Sequence, residues 1–437
     1  MDSASASALD AALRTARSAA HQGRDVEAEN AFVRVLTLDP AHAEALHFCG
    51  LRALTRGDAQ NAVHLLDRAC TVAGANAVFL KNLGLAHIAA LRPDEACAVL
   101  ERALQIDPEF FVARLFLARA LEGIGNRHEA LKHYFRAILG AQAKGRWRND
   151  ETTAPGLRED VKHAMGFIDV ERKLLFVRAL EPLREAHGEA SLARVMHCID
   201  IYAELVQANY PDPRQRPKFL YFPDLPATPY FDRALFPWYA QLEDNFTVIR
   251  DELLSVLRDE QGIEPFLKFD STDDATRYLA GAGGKPVWDA FFFYRHGERL
   301  DANCARCPRT AAIIDSLPIV HIREHAPEIC FSVLTPGTHI LPHRGVTNTR
   351  LVTHLPLIVP ENCALTVGGE QRVWQEGRCF TFDDTFEHEA WNRGESTRVV
   401  MLMDCWNPYL TEVERAALTL LVGGIGDFNR ECGIAQQ

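Results

Sequence analysis

Three polar side chains in the last third of the chain are of types that do chemistry together. His343 lies in THILPHRG, His388 in FDDTFEHEAWN and Arg398 in STRVVMLMD. Imidazole is a good ligand for a divalent transition metal, and guanidinium pairs a carboxylate through two parallel hydrogen bonds. The turn NRGE at 392–395 separates His388 from Arg398. A hairpin about its centre sets them roughly opposite each other, with side chains about 5 Å apart. A cation beside a metal-binding imidazole makes chemical sense when a dicarboxylate bridges the two, chelating the metal at one end and pairing with arginine at the other. That is the arrangement of an iron(II)/2-oxoglutarate site, in which the metal keeps positions open for the keto acid and for dioxygen. A lone strand histidine is more often a hydrogen-bonded core residue, so the weight rests on the two histidines together with Arg398.

The elements that must position these groups read as strands. Beyond Trp288 the segments WDAFFFYRHG, EICFSVLTPGTH, TRLVTHLPLIV, CALTVGG, QRVWQEGRCFTF, HEAWN and TRVVMLMDCW are short and apolar, with Gly, Pro and Asn between them. That pattern predicts a sandwich, jelly roll or barrel. One amphipathic helix is expected at about 240–258, and the proline- and aromatic-rich stretch 211–238 is not helical.

These motifs resemble the aspartyl/asparaginyl β-hydroxylase family over about residues 220–410. The match runs through Phe222-Pro223-Asp224-Leu225-Pro226, Trp288, Ser332, Pro336-Gly337-Thr338-His339, Pro342-His343-Arg344-Gly345, Arg350-Leu351, His354-Leu355, Trp374, Phe382-Asp383-Asp384, Phe386-Glu387-His388-Glu389, Arg398 and Asp404-Cys405-Trp406. The resemblance implies a double-stranded β-helix (jelly-roll or cupin-like) with flanking helices, using Fe(II), 2-oxoglutarate as cosubstrate and dioxygen. It makes His343 and His388 the two iron ligands. Most oxygenases of this chemistry carry a carboxylate two residues after the first histidine; here that residue is Gly345, a trait the family shares. Water then completes the protein side of the metal, with Asp384 orienting it. By the same resemblance Arg398 and Ser332 bind the distal carboxylate of 2-oxoglutarate, His354 the proximal one, and Arg350 is a substrate-side cation. One departure stands out: two residues before His354, animal members have arginine and this chain has Val352.

The first third carries a repeat. Ala28, Ala62, Ala96 and Ala130 recur every 34 residues, and Phe32, Leu66, Leu100 and Tyr134 follow one helical turn later. Gly23, Gly57, Leu91 and Gly125 hold the turn before the alanine, and Gly50, Gly84 and Ala118 the small position of the preceding helix. This resembles the tetratricopeptide repeat, a helical solenoid whose concave face commonly grips peptides or partner proteins. The expected organisation is multidomain α plus β: repeats at 8–142, a linker and helical bridge at 143–215, and the catalytic domain at 216–437.

Lysine and arginine total 47 against 59 acidic residues, a formal charge of −12, which suits neither nucleic acid nor an anionic membrane. Eleven scattered cysteines fit reduced thiols, the first residues lack a signal-peptide pattern, and no apolar stretch reaches a membrane span, so a cytoplasmic location is expected. Cys304-Ala-Arg-Cys307 lacks a second half at metal spacing and reads as a loop thiol pair. Together these features predict a dioxygenase that hydroxylates the β-carbon of Asp or Asn, or a related side chain, in a protein or peptide recruited by the repeats. The alternatives are a hydroxylase of a lipid acyl chain or small amino-acid metabolite, and a repeat scaffold whose hydroxylase-like domain is inactive.

Overall fold

The computed structural model describes residues 3–74, 76–268, 276–281 and 286–434. It divides into two units, one of residues 1–172 with 428–437 and one of residues 173–427. The first unit begins with helices α1 (Ser3–His21), α2 (Asp25–Leu38), α3 (Ala43–Thr55), α4 (Ala59–Ala73), α5 (Ala77–Ala89), α6 (Pro93–Ile106), α7 (Phe111–Gly123) and α8 (Arg127–Ala143), which pack as consecutive pairs.

The 34-residue period has a direct packing cause. All four repeat alanines are fully buried, and the large residue one turn later plugs the small position of the paired helix. A Cβ on Gly50 would stand 2.7 Å from Leu66 Cγ, and one on Gly84 2.5 Å from Leu100 Cγ. Turn glycines Gly23, Gly57 and Gly125 have φ of 68°, 80° and 81°; Leu91 takes their place at φ 58°, a left-handed conformation that costs a side-chain-bearing residue roughly 1 kcal/mol. The stretch expected as linker after α8 is ordered where Trp147 is buried edge-on against Phe111, with ring centroids 4.9 Å apart.

The second unit contains two antiparallel sheets, the double-stranded β-helix architecture. The larger takes the order β1 (Ile263–Pro265), β3 (Trp288–Arg295), β5 (Ile329–Leu334), β12 (Arg398–Trp406), β7 (Arg350–Ile358) and β10 (Phe380–Phe382), with β4 (Glu298–Arg299) paired to β3. The smaller takes the order β2 (Leu279–Gly281), β6 (Thr338–His343), β11 (His388–Asn392), β8 (Cys363–Val367) and β9 (Glu370–Arg372).

Strand alternation sorts the chemistry from the packing. On β12 the odd positions Val399, Met401, Met403 and Cys405 join the aromatic core on one face of the larger sheet. The even positions Arg398, Leu402 and Asp404 line a cavity on the other. The odd residues Phe331 on β5 and Leu351 on β7 enter that same core, while Ser332, Arg350, Val352 and His354 line the cavity.

Two expectations are corrected. The predicted helix at 240–258 is two, Tyr239–Asp244 and Phe246–Asp259, because the Asn245 side chain donates back to the Gln241 carbonyl (2.8 Å) and ends the first. The hairpin expected about NRGE does not form. β11 pairs with β6 and β8 while β12 pairs with β5 and β7, so residues 393–397 carry the chain from one sheet to the other.

Candidate active site

The two histidines come together through register. His388 begins β11 and is the antiparallel partner of His343 at the end of β6; their ring centroids lie 4.1 Å apart. His343 Nδ1 is 2.8 Å from the Leu341 carbonyl, and His388 Nδ1 is 3.1 Å from that of Phe386. A carbonyl only accepts, so Nδ1 carries the proton on both rings and the lone pair is left on Nε2. Burial keeps both imidazoles neutral, lowering His343 and taking His388 to about 3. Neutral rings with fixed tautomers are the form that binds a metal.

Asp384 supplies the carboxylate that the first histidine's own strand lacks. A Cβ on Gly345 would stand 2.1 Å from Asp384 Cγ and 2.2 Å from each of its oxygens. Glycine is therefore required two residues after His343, because the space a side chain would fill is taken by the Asp384 carboxylate. Burial pushes this carboxyl up to about 7, against the pull of Arg350, and Oδ1 has no hydrogen-bond partner. Among the described residues no three His, Cys, Asp or Glu side chains gather into a closed cage. Two imidazole lone pairs and a buried, unpartnered carboxylate oxygen suit an open first-row metal site, so the residues fit iron(II).

The opposite wall offers donors instead. Arg398 is 2% exposed and has no carboxylate partner among the described residues. Its Nη1 reaches only the Ser332 carbonyl at 3.3 Å and Oγ at 3.5 Å, and Nε reaches nothing. Burial lowers its pKa to about 10, so it remains charged at neutral pH. Trp374 stacks against this guanidinium (5.1 Å) and donates its Nε1–H to His354 Nδ1 at 3.2 Å. The His354 proton must then sit on Nε2, which has no partner. Trp288 Nε1 donates to Ser332 Oγ at 3.0 Å and fixes that hydroxyl. A buried cation without a carboxylate partner and a buried imidazole N–H without an acceptor are costly unless an anion fills the space.

All seven residues expected in the site, His343, His388, Asp384, Arg398, Ser332, His354 and Arg350, line one cavity of about 180 Å³. Arg350 reaches it already paired: its guanidinium bonds Asp404, which also accepts the Glu328 amide at 2.8 Å. His339 pairs with Glu389 at 2.7 Å and does not line the cavity. Sequence reasoning named Trp288, Trp374 and Asp404 only as motif residues; the even register of Asp404 with Arg398 on one strand was the available signal. Cys304 and Cys307 are buried free thiols on and after the helix Asp301–Arg306, not in a loop, and burial pushes Cys307 up to about 12. Asp383 holds the turn before His388, accepting from the Thr385 amide (2.9 Å) and Gln215 Nε2 (2.6 Å).

A family model described as Aspartyl/Asparaginyl beta-hydroxylase matches residues 243–408, and one described as Tetratricopeptide repeat matches 87–149. Among curated proteins, Aspartate beta-hydroxylase domain-containing protein 2 of Xenopus tropicalis is 35% identical over 208 residues, covering 47% of this chain and 54% of that protein. The Homo sapiens protein of the same name is 32% identical over 268 residues, covering 56% of this chain and 70% of that protein. Ornithine lipid ester-linked acyl 2-hydroxylase of Rhizobium tropici is 37% identical over 183 residues, covering 41% of this chain and 61% of that protein. The chain thus spans little more than half the length of the frog relative.

Proposed function

The chain belongs to the aspartyl/asparaginyl β-hydroxylase family, and on that premise we propose that it is an iron(II)/2-oxoglutarate-dependent dioxygenase acting on the β-carbon of Asp or Asn, or a related side chain, in a protein or peptide. The observation that carries this reading is the polarity of the cavity, with two imidazole lone pairs on one wall and unpaired buried donors on the other. A substrate C–H, 2-oxoglutarate and dioxygen would become C–OH, succinate and carbon dioxide.

His343 and His388 would hold the metal, which supplies dioxygen activation coupled to decarboxylation of 2-oxoglutarate. Arg398 and Ser332 bind the distal carboxylate, and His354 donates its Nε2–H to the proximal one. Trp374 orients both Arg398 and His354. Asp384, whose Oδ1 has no partner within the chain, would accept from a water beside the metal. Phe266, Ile340, Leu365, Phe382 and Leu402 keep the centre of the cavity apolar and exclude bulk water.

The repeats support recruitment of a protein or peptide substrate. The eleven free cysteines favour a reducing, cytoplasmic setting, and no described helix is long and apolar enough to cross a membrane. A second reading, hydroxylation of a lipid acyl chain, is favoured by the likeness to the Rhizobium tropici protein. The test is succinate formation from 2-oxoglutarate by purified protein with Fe(II), alone and with peptide or lipid added. Wild type should turn over and His388→Ala should not; equal activity in the two sinks the assignment.

A further inference from the structure

The two ends of the cavity carry different charge. Arg398 and Asp404 stand on the same face of β12, six residues and so about 20 Å apart along the strand. The Arg398 end has a free cation. At the Asp404 end, Arg350 is bonded to Asp404 and lies under the fields of Glu328 and Asp384 as well. Glu328 lines the same space, its Oε1 2.6 Å from the His296 amide and 3.0 Å from its Nδ1. Val352, opposite Asp404 in the register of β7 and β12, adds only apolar surface. His296, its pKa raised by the Glu328 carboxylate, and Arg295 lie beyond Glu328 and do not line the cavity, and Lys218 is exposed and acts on the imidazoles. Among the described lining residues, three carboxylates therefore surround one guanidinium.

We propose, resting on the hydroxylase reading above, that this end selects a substrate side chain ending in a neutral carboxamide and rejects the matching carboxylate: asparaginyl over aspartyl. A carboxamide carries a carbonyl to accept from the remaining N–H groups of Arg350 and an NH₂ to donate to Asp404 or Glu328. At this end a carboxylate finds no unpaired cation among the described lining residues and enters desolvated beside the Asp404 and Glu328 side chains, an arrangement that interfaces use to exclude a partner. An amine meets the carboxylates but leaves Arg350 facing a cation. The unpartnered, buried Asp384 Oδ1 marks the same region as one that expects a donor from outside the chain.

The test uses the full chain loaded with 2-oxoglutarate and with Zn(II) in place of iron, so that the Arg398 end is filled and no turnover intervenes. The N-acetyl methylamides of asparagine, aspartate and lysine are titrated, with binding read by ligand-observed NMR. The asparagine probe should bind at least about tenfold more tightly than either of the others. In Asp404→Asn, which frees Arg350, and in Glu328→Gln, which removes one charge with less disturbance of the pair, the asparagine-to-aspartate ratio should fall toward one. Equal or reversed affinity in the wild type, a ratio unmoved by both variants, or no probe binding while 2-oxoglutarate binds would each overturn the proposal. Failure of 2-oxoglutarate to bind would sink the hydroxylase reading separately, since its own titration precedes that of the probes.

Discussion

Around the Arg398 end of the cavity, the smaller sheet presents acceptors and the larger presents donors. His343 and His388 are turned by their own backbone carbonyls so that two lone pairs face inward. Arg398 and His354 are turned by Ser332 and Trp374 so that N–H groups face inward with nothing to meet. A metal would satisfy the first wall and a dicarboxylate the second, and in the proposed reaction one keto acid would serve both. The site is a pairing of two preorganised walls, each incomplete in a complementary sense.

The larger sheet offers the strongest way to break that pairing. Arg398→Met should weaken 2-oxoglutarate binding by about 2–5 kcal/mol. Because it also removes an uncompensated buried charge, it should leave the ligand-free protein equally stable or more so, by ~1 kcal/mol. Calorimetric titration and thermal melts read both effects, and a melting point that drops with the affinity would mean that Arg398 is a structural group.

On the smaller sheet, Gly345→Ala places a methyl where the Asp384 carboxylate sits. Metal affinity or turnover should fall roughly 10- to 100-fold, as for a lost outer-shell partner. Unchanged kinetics would show that Asp384 has room to move and no part in the metal's surroundings.

The turn beneath His388 gives a pH test. Asp383 is raised to about 6 in the folded protein by burial, from 3.8. The stabilisation of its protonated form is complete below 3.8 and lost as pH rises through about 6. Asp383→Asn lacks that loss, so its stability relative to wild type should rise by roughly 3 kcal/mol between pH 4 and pH 7. Urea denaturation at several pH values checks this, and a flat difference would mean that the carboxyl is not buried in solution.

In the repeats the smallest effect on the cavity is expected. Gly84→Ala should destabilise the first unit by about 1–3 kcal/mol through overpacking against Leu100, while 2-oxoglutarate affinity stays within twofold.

The repeats were legible in full because a period leaves its mark on every unit: each small residue in sequence is a close approach in space. His343, His388 and Arg398 were legible as candidates by residue type and motif. Their mutual geometry was not, since a turn such as NRGE looks the same whether it closes a hairpin or passes between sheets. The roles of Trp374 and Asp404 were hidden for a related reason. Asp404 meets Arg350 from the neighbouring strand and Trp374 reaches His354 from the loop after β9, and neither long-range approach is written in local sequence.

The most direct measurement is the visible charge-transfer absorption on adding 2-oxoglutarate to the anaerobic Fe(II) protein. Wild type should develop the band, His388→Ala should not, and Arg398→Met should need on the order of 100-fold more 2-oxoglutarate to reach it. A band that survives loss of His388, or one indifferent to Arg398, would contradict the two-walled site.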